Sequence, residues 1–367
     1  MTIPFPKRID RYIIGKFLQT YIFSILLMIS IAVIFDYNEN IDKLTQGGAS
    51  LEAIIFDYYL NFVPYYAYLF SALFVFISVI FFTSKLADNS EIIAMISAGI
   101  SFRRLMVPYL FTAAIIAGVN FYLGATIIPR GSAERLEFED QYKRKKKNST
   151  FSDNMMMQVD KGVIAYVGHF DGPTKTGYTF WLDKFEDKKL VSHLEARQIV
   201  YDSISTTQFH WKLSHVQIRD LSGEREHITT FNQLDSVIHM EPQDFIHTKD
   251  FQETMTNKEL VEDIERKKIR GTGQVKAFQV EYYKRYASAF AAFIMTIIGA
   301  SLSSRKRKGG MGFSLGVGLA LSVTYIFLQE ICSSFAINAN VPVIPAVWFP
   351  NVLYMFISIY LYKKAPR

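Results

Sequence analysis

Apolar residues gather in six long runs, at Tyr12 to Phe35, Phe62 to Thr83, Leu105 to Ile128, Ala287 to Leu302, Gly312 to Ala336 and Val343 to Tyr362. Each approaches the ~20 residues that carry a helix across a bilayer, and together they predict six membrane spans. The fourth is the shortest, and Phe278, Val280, Tyr282 and Tyr283 extend it with side chains suited to a membrane interface. From Phe151, between the third and fourth runs, the pattern changes from helical to period two. Phe209, Trp211 and Leu213 alternate with His210, Lys212 and Ser214, and Val216 and Ile218 continue on the other phase, as a bulge after Leu213 produces. Further strands are predicted at Gly162 to Phe170, Tyr178 to Phe185, Glu195 to Asp202 and His227 to Leu234. They are punctuated by Asp171-Gly-Pro173, Thr176-Gly177, Glu186-Asp-Lys-Lys189 and Ser222-Gly223. Turn signals every ~10 residues suggest an antiparallel sandwich or jelly roll. The run Met155-Met-Met157 reads as an apolar lining or as packing of an irregular core. Thr256-Asn-Lys-Glu259 is a capping-box pattern opening a helix with Leu260, Val261 and Ile264 that stops at Gly271. The chain therefore divides into helices 1 to 3 (1–128), a β domain with a linker helix (129–273) and helices 4 to 6 (274–367).

Composition agrees: half of the 367 residues are hydrophobic and 15% are aromatic, which argues against a water-soluble globular chain. Lysine and arginine supply the orientation. Lys7, Arg8, Arg11 and Lys16 precede span 1, Lys85, Arg103 and Arg104 lie between spans 2 and 3, Arg305-Lys-Arg-Lys308 lies between 4 and 5, and Lys363, Lys364 and Arg367 end the sequence. All fall on one side, which the positive-inside rule makes cytoplasmic, and the β domain is placed outside. The run Lys143-Arg-Lys-Lys-Lys147 lies in a long translocated segment, where the rule has little force. The net charge of +6 is thus read as topology and not as a nucleic-acid footprint. Span 1 exceeds a signal-peptide core and lacks an A-x-A site, so an uncleaved helix is expected. Cys332 is the single cysteine, so no intramolecular disulfide forms.

Catalytic chemistry is absent from the pattern. Seven histidines lie in the β domain or at its edge without HxH, HExxH or CxxC spacing, and no metal site is expected. Asp36, Asp57 and Glu330 fall toward span ends, while Asn120 and Asn351 in the span middles suit hydrogen bonds between helices. Neither a phosphate-binding G-x-x-x-x-G-K-[ST] loop nor a G-x-S-x-G elbow occurs. If this chain moves a substrate, another chain supplies the energy, and no cofactor is expected here.

Between spans 2 and 3 lies Ser90-Glu-Ile-Ile-Ala-Met-Ile-Ser-Ala-Gly-Ile-Ser-Phe-Arg-Arg104. Asp88 and Glu91 suit a helix start, Ile92, Met95 and Ile96 recur at i, i+3 and i+4, and Gly99 suits the stop. Three readings stay open for this helix at about 89–99: docking into a groove of a partner, lying on the inner leaflet, or packing on its own spans.

The stretch Glu91 to Arg104, with Glu281-Tyr-Tyr-Lys-Arg285 and Arg307-Lys-Gly-Gly310, resembles the lipopolysaccharide export permeases of the LptF/LptG (YjgP/YjgQ) family, over nearly the whole chain. The resemblance implies an α-helical integral membrane protein with six transmembrane helices and an extracytoplasmic antiparallel β-jellyroll between helices 3 and 4. It further implies the permease subunit of an ATP-binding-cassette exporter in the inner membrane of a Gram-negative bacterium. The expected partners are a dimeric cytoplasmic ATPase that binds ATP and Mg, a second LptF/LptG-type permease, periplasmic jellyroll proteins, lipopolysaccharide and membrane lipids, with no nucleic acid. In that family the helix after span 2 fits the ATPase, which assigns coupling to Glu91, Ile92, Met95, Ile96 and Gly99. Spans 1 and 5 would be gates, with Gly312 and Gly316 forming a small-residue stripe on span 5. Some members carry lysines at the outer end of span 1. This chain has Asp36, Glu39 and Asp42 there beside Lys43, leaving Lys43, Lys284 and Arg285 as substrate-path candidates. A membrane scaffold or sensor whose outer domain binds a partner without transport is the alternative reading; an intramembrane enzyme lacks a visible nucleophile, base or metal cluster.

Overall fold

A computed structural model describes residues 8–143, 151–203, 209–223, 225–245, 251–270, 275–304, 310–339 and 341–365. The basic runs Arg144 to Lys147 and Arg305 to Lys308, and the predicted stop at Gly271, lie outside the described residues. The chain forms two compact units. The first comprises residues 1–143, 252–260 and 276–367, and the second residues 144–251 and 261–275.

In the first unit, α1 (Arg8–Gln46) is followed by α2 (Leu51–Ala53), which runs through a wider turn at Ile54–Tyr59 into α3 (Leu60–Leu69) and then α4 (Ser71–Asp88). After α5 (Glu91–Ser97) come α6 (Phe102–Tyr122) and its continuation α7 (Ile128–Phe138). Past the β unit lie α8 (Asn257–Arg270), α9 (Val275–Ser303), α10 (Gly310–Asn338) and α11 (Val343–Lys364). Among the described residues, six helical stretches are long and apolar enough to cross a membrane: Arg8–Gln46, Ser71–Asp88, Phe102–Tyr142, Val275–Ser303, Gly312–Asn338 and Val343–Lys364. The second starts later than the apolar run predicts, because Phe70 leaves helical geometry (φ −96°, ψ 12°) and separates α3 from α4. At 39 residues, α1 is about 58 Å long at 1.5 Å per residue, well beyond the ~30 Å hydrocarbon layer.

The helical core gathers Ile13 and Phe17 of α1, Val75, Phe76, Val79 and Phe82 of α4, Leu105 and Tyr109 of α6, and Met295 and Ile298 of α9. Two polar knots fasten it at depth, as the span asparagines suggest. Asn120 donates to Ser71, whose hydroxyl lies 3.1 Å from the Tyr21 hydroxyl, joining α6, α4 and α1. Asn351 donates to the Ala287 carbonyl (2.8 Å) and accepts from the Tyr325 hydroxyl (2.8 Å), joining α11, α9 and α10. Where bilayer replaces water, each such bond satisfies groups that would otherwise be costly to bury.

The β unit is one six-stranded antiparallel sheet whose strands pair strictly in chain order. The strands are β1 (Phe151–Asp160), β2 (Val163–Asp171), β3 (Thr176–Glu186), β4 (Lys189–Tyr201), β5 (His210–Asp220) and β6 (His227–Val237). All five predicted strands form, each running past its predicted bounds at one end or both, and one strand, β1, is additional. Its Met155-Met-Met157 run is a strand and not irregular packing: Met157 is buried and Met156 is exposed, the alternation of a half-buried strand. β4 begins earlier than predicted because only Asp187 (φ 48°) and Lys188 (φ 64°) form the turn, both left-handed as a two-residue hairpin requires. At the β5–β6 connection, the Ser222 amide and hydroxyl donate to Asp220 (2.9 and 2.6 Å), which holds that carboxyl below its usual range.

The sheet curls on itself. Phe170 of β2 and Trp211 of β5 have ring centroids 6.5 Å apart, whereas three strand spacings in a flat sheet come to about 14 Å. The concave face is filled by Val167, Phe170, Phe180, Ile199, Trp211 and Leu213, and by Ile238, Met240 and Phe245 from the segment after β6. The bulge expected after Leu213 is absent: β4 and β5 keep one register from Trp211 to Asp220. The change of phase arises instead from His215, which is left-handed (φ 52°). Asn154 (φ 55°) of β1 and Thr179 (φ 56°) of β3 stand in the same row across the sheet, with Gly168 of β2 between them. A β-branched residue such as Thr179 pays strain for this geometry, of order 1–3 kcal/mol. Across this row the buried positions change phase in β2, β3, β4 and β5 while the pairing register through it is kept.

Candidate functional site

The helix between α4 and α6 exists, and its two faces are unequal. α5 spans Glu91–Ser97 and starts after Ser90, whose backbone is left-handed (φ 61°). Asp88 is the last residue of α4 and does not cap α5. Gly99 (φ 86°) closes it as predicted: the Gly99 amide donates to the Ile96 carbonyl (2.9 Å) and the Ile100 amide to that of Met95 (3.1 Å), a Schellman pair. Ile92 is 1% exposed, and Met95 and Ile96 pack against the same helical core. The apolar stripe thus faces the chain's own spans, the third of the readings left open. The opposite face carries Ile93, 52% exposed, with Ala94, Ser97 and Ala98 also exposed. The periodicity identified a stripe but not which surface it covers, because a seven-residue helix has apolar groups on both sides of Glu91.

Contacts 79 and 94 residues apart in sequence tie this region to α1. Glu91 accepts from the Tyr12 hydroxyl (3.1 Å) and from Asn89 (3.2 Å). Arg104, at the start of α6, donates through both terminal nitrogens to the two oxygens of Asp10 at 2.7 Å each. Asp10 is 1% exposed. Ser101 fixes this end of α6 by accepting from the Arg104 amide (3.3 Å). Beneath lie the rings of Phe17, Phe82 and Tyr109, with Phe17 to Phe82 at 5.5 Å and Phe82 to Tyr109 at 5.2 Å. Asp10 and Tyr12 escape sequence reasoning because they sit in a basic flank that reads as topology.

The basic substrate-path candidates have distinct surroundings. Lys43 is exposed on the last turn of α1 and donates to Asn40 (3.3 Å). The neighbouring Asp36 accepts from the hydroxyls of Tyr58 and Tyr59, both at 3.1 Å, and staples α1 to the turn before α3. Lys284 of α9 pairs with Glu330 of α10 at 2.6 Å. Arg285 is 2% exposed, and donates to Glu281 (2.8 Å) and to Asn257 (2.8 Å). Glu281, Lys284, Arg285 and Glu330 line a cavity of about 80 Å³ together with Tyr65, Tyr68, Asn120 and Gln329, and Lys43 does not. That is smaller than the ~150 Å³ void that holds benzene, and its polar lining suits water. Beside it Arg135 of α7 contacts Glu139 (3.1 Å) and Glu253 (3.4 Å) and lies 4.2 Å from the Tyr65 ring centre. Among the described residues no group of three or more His, Cys, Asp or Glu is arranged to hold a metal.

The glycines of α10 divide in the same way. A Cβ built at Gly312 or Gly316 meets nothing within 4 Å, so among the described residues this stripe packs on no other helix. The close approach lies at Gly318, where a Cβ would come within 2.1 Å of Ile80 in α4. We expect Gly318→Ala to cost about 1–3 kcal/mol as an overpacked contact, while Gly316→Ala leaves the isolated chain unchanged or raises its stability by up to ~1 kcal/mol through helix propensity. Thermal melts of the two variants in detergent check this; equal melts would show that α10 does not rest on α4 at Gly318.

Six apolar helices with an antiparallel β unit inserted between the third and fourth define a multi-pass integral membrane protein. The family model described as lipopolysaccharide export system permease LptF/LptG matches residues 11–364. The chain belongs to that family, whose members are permease components of a lipopolysaccharide export system, and it is read accordingly as a multi-pass protein of the inner membrane. A search among curated proteins finds no match.

Proposed function

We infer that this chain is the transmembrane permease subunit of an ATP-driven exporter that takes lipopolysaccharide from the inner membrane and passes it to a periplasmic β-jellyroll bridge. The energy comes from a separate dimeric ATPase, and a second permease of the same family completes the lipid path. Both termini are cytoplasmic and the β unit is periplasmic, in keeping with Arg11, Lys16, Lys85, Arg103, Lys363 and Lys364 at helix ends on one side. The observation that carries this reading is α5, a short helix locked to its own core by Ile92 while presenting Ile93 outward. An apolar side chain held on a rigid, charged-rimmed surface fits a groove in a partner protein.

Two features support a lipid path shared with a second chain. The cavity beside Arg285, of about 80 Å³, is too small for an acyl chain. In addition, only 22% of the apolar stretch of α1 and of α10 is buried, against 67% in α4 and α9. Phe23, Leu26 and Phe35 of α1, and Phe313, Phe327 and Phe335 of α10, are outward-facing. Lys43, Lys284 and Arg285 remain proposed phosphate contacts, and Gly312 and Gly316 a proposed surface for the second permease.

The test is gentle solubilisation of the tagged chain from its own membrane, followed by identification of what stays bound. A P-loop ATPase, a second six-span chain and lipopolysaccharide are expected. Ile93→Asp should reduce the ATPase recovered by about tenfold or more while the melting temperature is unchanged. Recovery of the chain alone, or an Ile93→Asp chain that retains the ATPase in full, would sink the coupling role of α5.

A further inference from the structure

We propose that the Asp10–Arg104 pair, backed by Tyr12–Glu91, is a strut that turns displacement of α5 into movement of α1; this rests on α5 being the docking helix. α1 is fixed to its own chain at its two ends. At one end Asp10, Ile13 and Phe17 are fully buried; at the other Asn40 and Leu44 are buried and Asp36 is held by two tyrosines. Between them Phe23, Leu26, Ile34 and Phe35 are 60–71% exposed. A long helix gripped at its ends and held between them only along a narrow stripe, at Tyr21, Ser24 and Ile29, moves as a lever when one grip moves.

The grip at the α5 end is directional. Two parallel 2.7 Å bonds between a planar guanidinium and a carboxylate fix both distance and orientation, unlike a single contact from a flexible lysine. Arg104 lies on the first turn of α6, which Ser101, two residues beyond Gly99, caps by accepting from the Arg104 amide. On the other side of α5, Glu91 holds Tyr12, which lies two residues after Asp10 on α1. The first turns of α1 are therefore attached to α5 at its start, through Glu91, and to the α6 turn that directly follows it, through Arg104. Ile9, Ile13, Gly99, Ile100 and Leu105 border a cavity of about 270 Å³ beside the pair, which leaves room for the α5–α6 turn to shift without a clash. Asp10 and Arg104 are positioning residues: neither faces the outward surface of α5, so they serve transmission and not docking.

The experiment uses the permease purified with its ATPase and partner permease and reconstituted in vesicles, reading ATP hydrolysis and lipopolysaccharide delivered in the same sample. Asp10→Asn should keep the ATPase bound and hydrolysing, while lipid delivered per ATP falls about tenfold, within the range of ordinary allosteric coupling. Tyr12→Phe keeps the ring, removes one hydroxyl at an exposed position and should lower the same ratio by about two- to threefold. The exchanged pair Asp10→Arg with Arg104→Asp should recover part of the loss. If Asp10→Asn proves unstable, Tyr12→Phe decides the matter. A wild-type ratio in the variants overturns the strut, as does loss of ATPase binding, which would make the pair part of the docking surface. A wild-type assembly with no ATP-dependent delivery overturns the exporter reading itself and is recognised before any variant is compared.

Discussion

Trp211→Ala is expected to destabilise the β unit by about 3–5 kcal/mol, the range for removing a large aromatic from a packed core. Trp211 is completely buried and stands where the curled sheet closes. Its ring lies 5.1 Å from Tyr201, 6.3 Å from Phe245 and 6.5 Å from Phe170, which sits three strands away. Its indole nitrogen donates to the Met240 carbonyl at 3.1 Å, tying the segment after β6 across the concave face. Removing the ring therefore opens a cavity and leaves a buried carbonyl unpaired. Trp211→Phe separates the two effects: it keeps most of the apolar volume and should cost about 1–3 kcal/mol, the range for an unsatisfied buried group. The measurement is the melting of strand circular dichroism in the full chain in detergent, where the alanine variant should melt about 10 °C or more lower. An alanine variant that melts with the wild type would mean that the sheet does not close around this ring.

How far the sequence announces this molecule depends on the length scale of the signal. Bilayer spans are legible because one constraint, about twenty consecutive apolar residues, leaves an unbroken run whatever the neighbours do. β2 to β6 are legible because one buried face imposes period two. β1 is hidden by Met155-Met-Met157, where three like residues mask the alternation that burial reveals. The left-handed His215 looks in the sequence of β5 like a bulge after Leu213, since a phase change in a single strand looks the same whether a residue is inserted or the alternation resets in place. At the candidate site the helix and its closing Gly99 are local and were foreseen. The side that Ile92, Met95 and Ile96 cover, and the meeting of Asp10 with Arg104, are tertiary facts that no local spacing encodes. The α10 glycines show the same limit: spacing puts Gly312 and Gly316 on one face and Gly318 on the other, but only the position of Ile80 shows which face packs on α4.

The second large effect concerns Arg285, where two roles compete for one side chain. The guanidinium is 2% exposed and spends its Nε on Glu281 and one Nη on Asn257, so Arg285→Ala leaves a carboxylate and an amide without their cation inside the helical unit. Breaking one side of a buried ion pair costs about 3–5 kcal/mol, most of it the penalty of the charge left behind. Arg285→Ala should therefore melt well below the wild type. Removing both charges is a different matter, because a well-packed apolar pair of similar volume is often neutral or better. Arg285→Met with Glu281→Leu should accordingly restore the melting temperature. Lipid export by that double variant then separates the roles. Arg285 is committed to its own chain on both donors described, so export is expected to return with stability. If the double variant is stable, binds the ATPase and still fails to export, Arg285 contacts the substrate in another state of the permease, and the ion pair with Glu281 must open for the lipid to pass.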